Sequence, residues 1–215
     1  ARRVTAPVEP AEFAPYICDP YAYDREAHWE WSLGLVGELA ALNPTILPRF
    51  QRVASIPIAS RGRVASAYGL CSFNARRIRV AYPKCKDPVR GAPVRAWSFP
   101  GWKSDVTVGG VLAHELGHWF DYQRGFLSSS PDWRSVLARE KPLTGYEPNP
   151  AEAWAEAFRL FATNPDLLAA GRPRRYEFLV ARGGLKPAVR ATWREVLAGA
   201  HTRYHEVAER WVRGR

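Results

Sequence analysis

The stretch LAHELGHWF, residues 112–120, contains two of the five histidines of the chain. Residues four positions apart on an α-helix lie one above the other, so His114 and His118 can direct their imidazoles at one point, as a metal ion requires. Glu115 lies about 100° around the helix from His114. There it can reach a metal-bound water without being a ligand. The spacing predicts a zinc site with Glu115 as general base; the alternative is two surface histidines on an amphipathic helix.

A catalytic zinc ion has three protein ligands and one open position. Gln123 and Arg124 occupy the place where a third histidine would follow immediately downstream, so the third ligand must come from elsewhere. The stretch NPAEAWAEAF offers Glu152 and Glu156, four apart on one helical face. One of these carboxylates could bind the metal while the other holds a ligand histidine from behind. The alternative is a pair of solvent-facing glutamates.

Two motifs together resemble a known family. HELGHWFD followed by LTGYEPNPAEAWAEAFRLF is similar to the catalytic domains of gluzincin-type zinc metallopeptidases, in particular anthrax lethal factor and the compact Pro-Pro endopeptidases. The similarity covers about residues 65–180. It implies an α+β, zincin-like fold, mostly helical, with a small mixed sheet whose edge strand borders the active-site cleft. RRIRVAYP, residues 76–83, would be that edge strand, pairing with an extended substrate.

The resemblance also implies a role for individual residues of this sequence. It assigns the Zn²⁺ ligands to His114, His118 and Glu152, the general base to Glu115, support of a ligand histidine to Glu156, and stabilisation of the tetrahedral intermediate to Tyr146. Gly117 is expected to leave room beside the metal. Asp121, one turn beyond His118, is expected either to orient a ligand or to be solvated at the helix end.

Hydrophobic periodicity and turn residues divide the chain into elements of one domain, residues 1–215. The predicted strands are VASIPIA and RRIRVAYP, and an irregular arm covers residues 1–23. The motif helix is expected to begin after Ser104 or Asp105 and to end at Gly125. The predicted helices span residues 24–42, 46–52, 106–124, 132–140, 150–163 and 187–212.

The composition limits the class of protein. A hydrophobic share of 47% and nine tryptophans indicate a compact core, and no apolar run is long enough to span a membrane. The net charge of +10 favours general solvation over a patch that binds polyanions. Cys71 and Cys85 flank a predicted strand and could form a disulfide, or remain thiols. A second histidine pair, His201 and His205, has no glutamate after its first member and indicates a solvated face, with a second metal site as the alternative.

The sequence therefore predicts a zinc metalloendopeptidase that hydrolyses an extended protein or peptide substrate by Glu-assisted attack of metal-bound water. We expect a monomer that is secreted by, or delivered from, a bacterium. The alternatives are a cytoplasmic protein and a DNA-associated or phage virion protein of zincin fold with a binding or structural role. Nucleic acid is the less favoured partner.

Overall fold

The protein is mostly helical, with a small mixed sheet, in a computed structural model that describes residues 25–60, 63–85, 106–188, 192, 194–195 and 209–213. The predicted arm and most of the predicted final helix, including the second histidine pair, lie outside these residues. Six helices are labelled in the described chain: α1 Arg25–Leu42, α2 Val108–Gln123, α3 Pro131–Leu137, α4 Pro150–Thr163, α5 Pro165–Gly171 and α6 Pro173–Ala181.

Five strands lie between α1 and α2: β1 Arg49–Val53, β2 Ile56–Ser60, β3 Arg63–Ala67, β4 Gly69–Ser72 and β5 Arg77–Ala81. The main sheet has the order β1-β5-β4, with β1 parallel and β4 antiparallel to β5. Strands β2 and β3 form a separate antiparallel hairpin. The prediction of a mixed sheet is confirmed, but RRIRVAYP is its central strand and not its edge. The edge strand beside α2 is β4.

The prediction of a helix over residues 46–52 is wrong, because this stretch contains β1. Arg49–Val53 pairs along its whole length with β5, about 28 residues further along the chain. Such long-range pairing overrides local helix preference. The predicted strands VASIPIA and RRIRVAYP are confirmed as β2 and β5.

Helix α2 lies at the centre of the core. It packs against α4, against α1 and against the sheet. Leu112, Leu116 and Trp119 of α2 are buried in this core. A Cβ on Gly117 would lie 2.9 Å from the Ala155 Cα, so this glycine lets α2 and α4 approach closely and does not make room for a metal.

The ends of α2 differ in part from the prediction. Its N-cap is Thr107, whose hydroxyl accepts the Gly110 N–H at 3.2 Å, so the helix begins later than predicted. The predicted caps, Ser104 and Asp105, lie outside the described residues. The helix stops before Gly125, whose φ of +73° suits glycine, as predicted. Asp121 is buried and binds the backbone N–H and the hydroxyl of Ser128. It therefore anchors the loop after α2, and the expectation that Asp121 is solvated was wrong.

Both cysteines of the described chain are free thiols, so the prediction of a Cys71–Cys85 disulfide is wrong. The buried Cys85 thiol lies 3.5 Å from the Ala81 carbonyl oxygen. Within the described residues, none of the helices has the length and apolarity needed to cross a membrane.

Candidate metal centre

Three side chains from two helices converge between α2 and α4. His114 and His118 lie one turn apart on α2, and Glu152 lies in the first turn of α4. The Nε2 atoms of the histidines are 3.2 Å apart, and Glu152 Oε2 is 2.9 Å from the His114 Nε2 and 3.5 Å from the His118 Nε2. One ligand atom from each residue lies within 4.8 Å of the other two. This group could therefore hold a metal ion.

The spacing fits a tetrahedral ion of the size of zinc. Zinc binds imidazole nitrogen and carboxylate oxygen at about 2.0–2.2 Å, so two of its ligand atoms lie about 3.3 Å apart. The three separations in this site scatter around that value. The side chains of His118 and Glu152 are partly exposed, which leaves an open side for a further ligand.

Hydrogen bonding orients His114 for binding a cation. Its Nδ1 lies 2.8 Å from Glu156 Oε1, and a carboxylate only accepts, so Nδ1 carries the proton. With a metal bound the ring would be neutral, and its Nε2 lone pair would point towards the metal between Glu152 and His118. Burial alone would lower the pKa of His114. The hydrogen bonds to Glu152 and Glu156 together outweigh this effect and raise the pKa to about 10. The site thus attracts positive charge, and a metal would compete with a proton.

Glu156 is itself fixed in place. Its carboxylate is fully buried, pairs with Arg159 at 3.0 Å, and accepts the Thr144 hydroxyl at 2.8 Å. Burial would raise the pKa of Glu156, but the Arg159 charge and the His114 hydrogen bond lower it to about 2. A charged Glu156 therefore stands behind His114 at neutral pH. The sequence analysis missed both Arg159 and Thr144; the three-residue spacing from Glu156 to Arg159 on one helix was the available signal.

Glu115 lies beside the three converging residues and not among them. Its carboxylate accepts the backbone N–H of Cys71 on β4. Burial, with a smaller contribution from Glu152, raises its pKa, while the two histidines lower it. A Cβ on Gly69 would lie 2.5 Å from Glu115 Oε1, so the absence of a side chain at Gly69 makes room for this carboxylate. A raised pKa suits a group that accepts a proton near neutral pH.

Tyr146 lies over the same site on the loop between α3 and α4. Its ring centroid is 5.8 Å from that of His114, and 45% of the residue is exposed. Burial and the nearby glutamates raise the pKa of its phenol, so it remains a hydrogen-bond donor at neutral pH.

A buried ion pair holds the Tyr146 loop. Arg175 on α6 donates to Glu147 with N–O distances of 3.0 Å, and Glu147 accepts the backbone N–H of Leu143 at 2.6 Å. The Thr144 hydroxyl accepts the Tyr146 N–H at 3.2 Å. A chain of hydrogen bonds thus links α6 to the loop that carries Tyr146. Sequence patterns gave no sign of this link, because it joins residues 28 positions apart.

A cleft of about 300 Å³ opens between the β2–β3 hairpin, β4 and α2. Its lining is mostly apolar, with the polar groups of the site at one end. The lining residues are Ile58, Ser66, Ala67, Tyr68, Gly69, Val106, Val111, His114, Glu115 and Tyr146. Beside it, Cys71 has a thiol whose pKa is raised to about 12 by burial and by the Glu115 charge. A thiol with a raised pKa is mostly protonated at neutral pH and is a poor nucleophile.

The outer edge of β4 faces this cleft. The Ala81 N–H donates to the Tyr68 carbonyl at 2.8 Å, so alternate residues of the strand direct their backbone groups towards β5. Gly69 and Cys71 therefore direct their backbone N–H and C=O groups away from β5, and the Cys71 N–H donates to the Glu115 carboxylate. Among the described strands none pairs with this edge.

No protein-family model matches the chain, and no match was found among curated proteins or solved structures. The function must therefore be argued from the site itself.

Proposed function

We propose that the protein is a zinc-dependent endopeptidase of the gluzincin type. The observation that carries this proposal is the convergence of His114, His118 and Glu152 beside Glu115, a buried carboxylate that does not belong to the metal-binding group. A site that only stores or is stabilised by a metal has no need of an adjacent base. The site also opens to a cleft, as catalysis requires and as structural zinc sites do not.

Each side chain has a defined task in this proposal. His114 and His118 present Nε2 atoms, and Glu152 presents one carboxylate oxygen, as three of four ligands. A zinc ion held there would lower the pKa of a water molecule and polarise a peptide carbonyl. Glu115 accepts the proton of the attacking water and returns it to the leaving amine. Tyr146 donates its phenol hydrogen to the negative charge that develops on the carbonyl oxygen.

Strand β4 supplies a means of holding the substrate. An extended peptide can add to an open sheet edge through backbone hydrogen bonds, which fixes its register without requiring particular side chains. The backbone N–H and C=O of Gly69 and the C=O of Cys71 point outward beside Glu115 and can form hydrogen bonds with such a peptide. The apolar lining of the cleft, including Ile58 and Val111, favours an uncharged side chain next to the scissile bond.

A randomised peptide library tests the proposal. The zinc-loaded protein is expected to cleave a subset of peptides internally, to lose this activity with a chelator, and to regain it when zinc is restored. Peptides with apolar residues at the scissile bond should be enriched among the products. Absence of cleavage by protein that carries one zinc ion per chain would contradict the assignment as an endopeptidase.

A further inference from the structure

The positive charge of the chain is concentrated in one segment. Residues 39–86 contain nine of the 31 Lys and Arg residues and none of the 21 Asp and Glu residues. The other 167 residues are almost balanced, with 22 basic and 21 acidic side chains. This segment contains all five strands of the described chain. The net charge of +10 is therefore a property of the β region and not of the surface as a whole.

The outer face of the main sheet displays part of this charge. Ile78 and Val80 of β5 are fully buried, and α2 packs on the sheet, so Arg77 and Arg79 point to the opposite face. The parallel register places Arg49 of β1 directly beside Arg77. Neighbouring strands are about 4.8 Å apart, and alternate residues of one strand are about 6.7 Å apart. The three arginines thus form a closely spaced array, which we call the arginine array.

A fourth arginine adjoins this array. Arg76 is exposed in the turn before β5 and has a φ of +46°, which is uncommon for a residue other than glycine. Nothing in the described part of the chain forms an ion pair with Arg49, Arg76, Arg77 or Arg79. Arg52, by contrast, lies on the helix side of the sheet and pairs with Glu26.

Such an arrangement has a cost in the isolated protein. Like charges placed directly opposite each other on neighbouring strands are destabilising. The pair Arg49 and Arg77 has this relation, and Arg79 lies on the same face. An anionic partner would remove this repulsion. The partner must carry several negative charges at short intervals, because the array presents several positive charges at short intervals.

We propose that the outer face of the β1-β5-β4 sheet binds the phosphate backbone of a nucleic acid. Nucleic acids carry regularly spaced phosphates, and arginine binds phosphate oxygens in a bidentate manner. The other side chains on this face in the three strands are Gln51, Val53, Leu70, Ser72 and Ala81. None of these is aromatic, so this face offers no surface on which bases can stack. Binding is therefore through the backbone and independent of sequence.

The proposal is tested by fluorescence anisotropy with a labelled random-sequence 20-base-pair duplex and the corresponding single strand. The triple variant Arg49→Gln, Arg77→Gln, Arg79→Gln should bind the duplex at least tenfold more weakly than wild type at 0.1 M salt. Each lost phosphate contact reduces the slope of log affinity against log salt by about 0.9. The slope should therefore become shallower by about 2–3.

The matched control removes the same charge elsewhere. Arg134→Gln, Arg139→Gln and Arg174→Gln alter three exposed arginines outside the β region. This control should keep its affinity within about twofold of wild type. Equal losses in the two triple variants would overturn the proposal, because only net charge would then matter. Absence of duplex and single-strand binding by wild type would overturn it as well.

Two further measurements keep the test decisive. If the sheet variant fails to fold, the pair Arg49→Gln and Arg76→Gln changes exposed positions only and should still weaken binding severalfold. Tighter binding of a polyglutamate peptide than of either nucleic acid would assign the face to acidic polypeptides and overturn the proposal. Glu115→Gln should bind nucleic acid as wild type does, so the outcome does not depend on whether the protein is a peptidase.

Discussion

The two nitrogens of His114 show how a single residue acquires its role. The spacing of HELGH predicted that His114 and His118 would point together, and the structure places their Nε2 atoms 3.2 Å apart. The sequence also suggested that one glutamate of the second motif would stand behind a histidine. The distances place Glu156 at Nδ1 and Glu152 at Nε2. Helical spacing alone did not choose between these glutamates, because the choice depends on the relative position of two helices. The family resemblance supplied the assignment.

Gly69 is a residue whose importance only the structure reveals. Its missing side chain leaves room for Glu115, because a Cβ there would lie 2.5 Å from the carboxylate and 2.7 Å from Val111 Cγ1. We predict that Gly69→Ala retains zinc but loses activity by about 10- to 100-fold, less than full removal of the base. Kinetics with a good peptide substrate, alongside metal analysis, measure this.

Ser72→Ala in the same strand is the control, since Ser72 lies on the other face. Its kcat should match wild type. Unchanged kcat in Gly69→Ala would show that Glu115 does not need the position it has in this structure.

At the scale of elements, the loop that carries Tyr146 depends on α6. Glu147 ties the loop to the buried Arg175. We predict that Glu147→Gln lowers kcat by about 10- to 100-fold, since small displacements of a catalytic group have effects of this size. In the Tyr146→Phe background, Glu147→Gln should lower kcat only a few-fold, because the phenol hydroxyl that the loop positions is then absent.

Asp132→Asn is the matched control for this double-mutant cycle. Asp132 pairs with Arg182, just after α6, at 2.7 Å, and no described hydrogen bond joins its side chain to the loop that carries Tyr146. This variant should leave kcat unchanged. A loss from Glu147→Gln that is equally large with and without the Tyr146 hydroxyl would indicate general destabilisation and contradict a positioning role.

The contact between α1 and α2 has a predicted pH dependence. His28 is buried against Gly109, where an added Cβ would lie 2.7 Å from the imidazole Nε2. Burial lowers the pKa of His28 to about 3. Below about pH 6.5 the unfolded chain takes up a proton at His28 that the folded protein does not. Proton uptake at His28 alone should therefore lower the free energy of unfolding by about 1.4 kcal/mol per pH unit from about pH 6 towards pH 3.

His28→Gln removes this titration. Urea unfolding at several pH values between 7 and 4.5 should show a shallower decrease for the variant than for wild type. Identical slopes would mean that His28 is not kept neutral by burial in the folded protein.

The elements differ in how well the sequence predicted them. Helices α1, α2 and α4 were predicted because each has a clear start or stop signal and an apolar face. Strand β4 was missed, since GLCS is short and has no alternation, and β1 was taken for a helix. Both strands are defined by pairing with β5. The edge beside the site was therefore assigned to β5 instead of β4. An edge strand at that place was nevertheless expected.

At the level of the whole molecule, the described residues present two kinds of surface, one formed by the helices and one by the β region. The helical part supplies the three side chains that could hold a metal ion, their supporting hydrogen bonds and the Tyr146 loop. The β region supplies β4, the proposed substrate-binding edge, and the arginine array on the outer face. From the net charge of +10, the sequence analysis favoured general solvation over a patch that binds polyanions. The grouping of the arginines on one face depends on strand register, which residue types alone do not determine.

The central claim is that the metal site performs hydrolysis with Glu115 as its base. The most direct test compares zinc-loaded wild type with zinc-loaded Glu115→Gln on the best peptide from the library. We predict one zinc ion per chain and the same fold in both proteins. We also predict a loss of kcat of about 10²- to 10⁴-fold or more in the variant. Cleavage by Glu115→Gln at a rate near that of wild type would contradict the hydrolytic mechanism.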